Sequence, residues 1–157
     1  MARKPVHDPT EWFTAARAAR LSDLTFAMVN YLSRAHIIEP SCSCKRGHGR
    51  KRHYSFGDVV ALRLVKQLSA TGVRPLRLQK ALRGFRKFHE QITPTTLPAS
   101  HVVTDGVDLY LRNDADSIER IFDGQFAFAF VVELAPLQAE VAKRLKRYAG
   151  SDRYTSK

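Results

Sequence analysis

The stretch Thr93–Ser100, TPTTLPAS, constrains this chain more than any other part of it. Pro94 and Pro98, set among small polar residues, stop any helix arriving from the N-terminal side, so one continuous helical array is excluded. Before this stretch apolar residues recur at helical spacing; after it they alternate or form β-prone runs. The charge changes at the same place. Residues 1–90 hold 18 Lys and Arg against 6 Asp and Glu, a net of +12, whereas residues 91–157 hold 8 against 9, a net of −1. The reading is a helical unit over 1–92, a linker over 93–100, a small β/α unit over 101–150 and a loose polar tail over 151–157.

Composition narrows the function classes. At 44% hydrophobic and 26% charged residues, the chain has ordinary globular values and no signature of disorder along its length. No run approaches the roughly 20 apolar residues of a membrane span. The opening MARKPVHDPTEW lacks the apolar core of a signal peptide, and two cysteines form no disulfide framework, so a cytoplasmic location, on the nucleoid, is expected. The basic excess of the first half calls for a polyanion, and nucleic acid is the commonest.

The first half reads as a chain of short helices. Ala-rich Thr10–Arg20 is one, interrupted by Leu21-Ser22-Asp23. A second is expected over Thr25–Ala35, with Thr25 as its N-cap and Phe26, Val29 and Leu32 as its apolar positions, and Pro40 closes this helix-turn-helix. Ser41–Tyr54, SCSCKRGHGRKRHY, has no apolar periodicity and five Lys/Arg, so it is a surface loop or hairpin tip. A third helix begins at Ser55 or Asp58, carries Val59, Leu62, Leu64, Val65 and Leu68 inward, and stops at Thr71-Gly72. Pro75 opens a fourth with Leu78, Leu82, Phe85 and Phe88 as its stripe.

These features, in this order, resemble the winged helix-turn-helix of MerR-type bacterial transcription regulators. The resemblance runs from about Phe13 to Phe85: FTAARAARL, then VNYLSRAHIIEP, a basic wing, YSFGDVVALRLVKQLSATGV and PLRLQKAL. Tyr31, Ile37-Ile38, Pro40, Arg52, Tyr54, Leu68, Gly72 and Val73 stand where that family has its recognition-helix tyrosine, aliphatic pair, proline, arginine, the tyrosine that opens the third helix, and the aliphatic-glycine-apolar pattern before the fourth helix. Asn30 replaces the family's usual arginine, Leu32 its second tyrosine and His36 its glycine, so base preference is not carried over. Pro94 and Pro98 also stop the long dimerisation helix that often follows in that family. The resemblance implies a DNA-reading second helix and a phosphate-holding wing.

Residue chemistry supplies the candidates independently. On the second helix Thr25, Asn30, Tyr31 and Arg34 are the polar groups: Asn pairs with adenine, Arg with guanine, and a tyrosine hydroxyl reaches a phosphate. The wing adds Lys45, Arg46, His48, Arg50, Lys51 and Arg52, with Tyr54 at its end, while Gly47 and Gly49 let its backbone approach closely. Cys42, Cys44, His48 and His53 form C-x-C-x3-H-x4-H, four zinc-competent ligands, but the single-residue spacer between the cysteines is not that of a standard finger. A phosphate or surface contact is preferred for the two histidines and no cofactor is expected. No phosphate loop, H-E-x-x-H or G-x-S-x-G is present, so catalysis is not expected.

In the second half His101–Thr104 and Val107–Leu111 read as strands around an Asp105-Gly106 two-residue turn, Asp114–Phe122 as a short helix, Gln125–Leu134 as an alternating strand, and Pro136 as the start of a last helix. The fold class is mainly α with a small α+β part: a winged helix-turn-helix followed by a β-hairpin/helix/strand/helix unit. Phe126, Phe128, Phe130, Leu137, Val141 and Leu145 are the candidate dimer or partner interface. The expected function is a sequence-specific, homodimeric regulator, a repressor, on double-stranded DNA. Two alternatives stay open: an antitoxin-type autoregulator whose second unit binds a protein partner, and an architectural or recombination accessory protein.

Overall fold

The computed structural model describes residues 12–43, 52–105, 108–113 and 130–149. It is mainly helical, with two small antiparallel sheets. Strand β1 (Phe13–Thr14) leads directly into α1 (Ala15–Ser22). This helix starts later than its alanine content suggests, because Thr14 is the residue that caps it, accepting a bond from the Arg17 amide at 3.3 Å. It ends at Asp23, whose backbone is left-handed at φ 61°. Ser22 stays inside the helix, its hydroxyl donating to the Ala18 carbonyl at 2.7 Å.

Helix α2 (Phe26–Arg34) follows after a short turn, so α1 and α2 form the helix-turn-helix pair. Strands β2 (Cys42–Ser43) and β3 (Arg52–Tyr54) then pair antiparallel, with Cys42 opposite His53, and β1 joins the other edge of β3 with Phe13 opposite Tyr54. Helix α3 (Phe56–Ala70) opens with a reciprocal capping box between Ser55 and Asp58. Ten of its residues are buried, from Phe56 to Leu68, which makes it the central helix, wrapped by neighbours on nearly all sides. Gly72, at φ 95°, turns the chain out of it. Pro75 opens a 3-10 turn (Pro75–Leu78) that runs on into α4 (Gln79–His89). Leu78, Leu82 and Phe85 are buried as the stripe requires, and Phe88 packs beside Phe85 with ring centroids 4.6 Å apart.

The second sheet has the order β5-β4-β6, with β4 (His101–Thr104) between β5 (Leu109–Arg112) and β6 (Phe130–Glu133). Thr104 lies opposite Leu109, so residues 105–108 connect the hairpin and the two-residue turn expected at Asp105-Gly106 is corrected to four. The Asp105 carboxylate accepts from the Asp108 amide at 2.8 Å, the local bond that favours this longer turn. The helix expected at Asp114–Phe122 and the start of the strand at Gln125 lie outside the described residues. The strand gives way to α5 (Leu134–Ala149) at Leu134, two residues before Pro136, which sits in the first helical turn.

One hydrophobic cluster runs through both sides of the 93–100 segment, from Phe13 and Leu21 through α3 to Val102, Val132, Leu137 and Val141. That segment is itself held: Ala99 is buried, and Gln138 donates to the Thr93 carbonyl at 2.6 Å. Polar ties complete the packing of α5. The Arg63 guanidinium on α3 meets Glu140 at 2.7 Å and Asp23 at 3.4 Å; Arg144 meets Asp23 at 3.6 Å and donates to the Arg20 carbonyl at 3.2 Å. Lys66 also pairs with Asp23, holding its carboxyl below the ordinary range through that hydrogen bond first. The turn between α1 and α2 is thereby tied to α3 and α5.

Candidate nucleic-acid interface

The geometry begins with α2. Thr25 caps it as expected, accepting from the Met28 amide at 3.1 Å, so its hydroxyl serves the helix before any ligand. Val29, Leu32 and Ser33 face inward and are buried. Phe26, counted above with Val29 and Leu32 among the apolar positions at helical spacing, is 54% exposed. A helix turns about 100° per residue, so positions three apart drift steadily, and Phe26 ends about 120° away from Leu32. The outward face carries Phe26, Ala27, Tyr31 and Arg34, with Asn30 half-buried beside them.

The far end of α2 is fixed by its neighbours. His36 adopts the left-handed backbone, φ 55°, and the Ile37 and Ile38 amides both return to the Leu32 carbonyl, which drives the two isoleucines into the core. Carbonyls left unpaired at a helix end need outside donors. Here α4 supplies them, Gln79 to Ala35 and Arg83 to His36, the latter at 3.3 Å. Glu39 bridges His36 and Arg86, the latter at 3.2 Å.

A buried joint orients the hairpin beside α2. Asp58, fully buried at the first turn of α3, accepts from the Ser41 amide at 2.8 Å, the Ser41 hydroxyl at 2.7 Å and the Ser55 amide at 2.9 Å. His89 Nε2, at the end of α4, lies 3.1 Å from the same carboxylate. Burial pulls this carboxyl upward, but the His89 ring and the Ser55 and Ser41 bonds outweigh it and hold Asp58 below the usual carboxylate range. Gly57 lets the helices meet this closely: a Cβ there would stand 1.7 Å from the His89 carbonyl oxygen.

These elements border an open groove of about 910 Å³, whose walls include Thr14, Phe26, Asn30, Arg34, Arg52 and Arg86. Asn30, Arg34 and Arg52 are thus brought to one surface. Thr25 and Tyr31, the latter 45% exposed, lie on the same helix. Lys45, Arg46, His48, Arg50 and Lys51 lie outside the described residues, in the connection that β2 and β3 flank. Tyr54 does not reach the surface. It is fully buried, opposite Phe13 in the sheet, and desolvation pushes its phenol up, so this DNA-binding candidate packs in the core and does not line the groove.

Of the candidate zinc ligands, Cys44 and His48 lie outside the described residues; Cys42 and His53 are paired across the hairpin, and no group of three metal-competent side chains occurs among the described residues. Of the candidate interface residues, Phe126 and Phe128 also lie outside the described residues, and Phe130 opens β6. Leu137 and Val141 are 2% and 0% exposed in this chain's own core, so neither is on offer to a second chain, and Leu145 packs against the same cluster. Among the described residues no helix is long and apolar enough to cross a membrane.

Comparison with known proteins agrees in kind with this geometry. No family model matches the chain. Proteins of Mycobacterium tuberculosis and Mycobacterium bovis, each named an uncharacterized HTH-type transcriptional regulator, are 25% identical to it over 119 residues, 76% of this chain. The chain spans about half the length of these relatives, 51%.

Proposed function

We propose that this chain is a sequence-specific, double-stranded-DNA-binding transcriptional regulator of the MerR-like winged helix-turn-helix kind. Its role is binding, not catalysis. Residues 1–92 form the DNA-binding unit, with α2 reading bases in the major groove and the β2–β3 hairpin holding phosphates through its cation-rich connection. The observation that carries this reading is the shared surface of α2 and the hairpin, where Asn30, Arg34 and Arg52 border one groove. The printed names of the Mycobacterium relatives support it. So does His36, left-handed at the position where the resembled family carries glycine.

The chain acts as a homodimer through its C-terminal unit. One short reading helix and one wing give little specific affinity, and two copies on a repeated or palindromic site supply the rest. The test is selection of binding sites from a random duplex library by the purified protein near physiological salt. Two related half-sites at fixed spacing are expected. Failure to retain any duplex would overturn the reading.

A further inference from the structure

Phe26 is the largest apolar side chain on the outward face of α2, and among the described residues it is left 54% exposed, bordering the groove shared with Asn30 and Arg34. The three residues are spaced four apart, so they lie on one helical face. They span about 12 Å of helix axis. That length matches roughly three to four base pairs of duplex. A phenyl ring cannot hold a phosphate, and in a basic surround it is not a docking point for an anionic side chain. Within the major groove one feature is apolar, the C5-methyl of thymine.

We infer that Phe26 reads a thymine methyl, next to the base edges taken by Asn30 and Arg34, and so determines one position of the half-site. The inference rests on the DNA-binding reading above. It orders the contacts along α2: thymine methyl at the N-terminal end, adenine at Asn30 and guanine toward Arg34. It also explains why a helix start exposed to water carries Phe where a polar residue would cost nothing.

The test uses the full chain and a selected duplex in which each thymine is replaced singly by deoxyuridine, which removes one methyl and leaves every hydrogen-bonding group in place. One position is expected to weaken binding about fourfold, the worth of one buried carbon. The Phe26→Ala variant should bind the thymine duplex more weakly and lose the difference between thymine and uracil there. Phe26→Leu should keep part of it. Because Phe26 is exposed, both variants should unfold at the wild-type temperature within a few degrees, which separates lost contact from lost fold.

Three results overturn the inference while the DNA-binding reading stands: no methyl-sensitive position in a motif that is otherwise read, a Phe26→Ala loss equal on thymine and uracil, or salt-sensitive binding without any motif. Phe26→Ala binding DNA as the wild type does would return the side chain to another occupant, such as a protein partner. Absence of all duplex binding overturns both readings together.

Discussion

Asp58 shows what a single buried charge does here. It gathers Ser41, Ser55 and His89 from three segments around one carboxylate, and all of these meet at the base of the hairpin. Removing one member of a buried, hydrogen-bonded charge cluster strands the others, so Asp58→Ala should cost roughly 3–5 kcal/mol in urea unfolding. The pH dependence has a definite sign. The folded carboxyl lies below its unfolded value, so its stabilisation is present above about pH 4 and is lost as the pH falls through the folded value. Asp58→Asn should flatten that acid limb, and an unchanged acid limb would contradict the account. Half of this cluster is legible in the sequence, because Ser55 and Asp58 stand at capping-box spacing. His89 is not, since its partner lies 31 residues away and no local pattern marks the pair.

The helices were legible to the extent that local chemistry decides them. Thr25, Ser55, Gly72 and Pro75 punctuate the chain where their capping and turn preferences place them. Thr25→Ala should destabilise the fold by about 1 kcal/mol. In a chain of this length that is a thermal shift of roughly 2–4 °C, and the frayed α2 should also bind duplex more weakly. A melting scan beside a binding isotherm checks both. Element starts set by tertiary pairing were less visible. Alanine content moves the expected start of α1 toward Thr10, whereas pairing of Phe13 with Tyr54 makes a strand there and leaves Thr14 to cap the helix. Phe26 and Tyr54 exchange places for a related reason: spacing gives the period of a stripe, but burial follows from which neighbours stand opposite. Tyr54 faces Phe13 and the core, and Phe26 faces open groove.

At the scale of the whole molecule, the change of composition at Thr93–Ser100 marks where helices give way to strands. It carries no information about whether the two parts pack together. In the structure they share a core, and Arg63, Glu140 and Arg144 tie α5 to the turn that precedes α2. Whatever engages the C-terminal part is therefore mechanically close to α2. On the proposed reading, α2 reads sequence while the cations between β2 and β3 supply charge. The most direct test compares Arg34→Ala with the wild type on a selected site and on a scrambled duplex, by fluorescence anisotropy across a salt series. Arg34→Ala should lose about 1–3 kcal/mol on the selected site and little on the scrambled one. Wild-type log K should fall with log salt at a slope of roughly −5, as expected when about six phosphates are neutralised. Equal losses on both duplexes, or none on either, would mean that Arg34 on α2 does not read sequence.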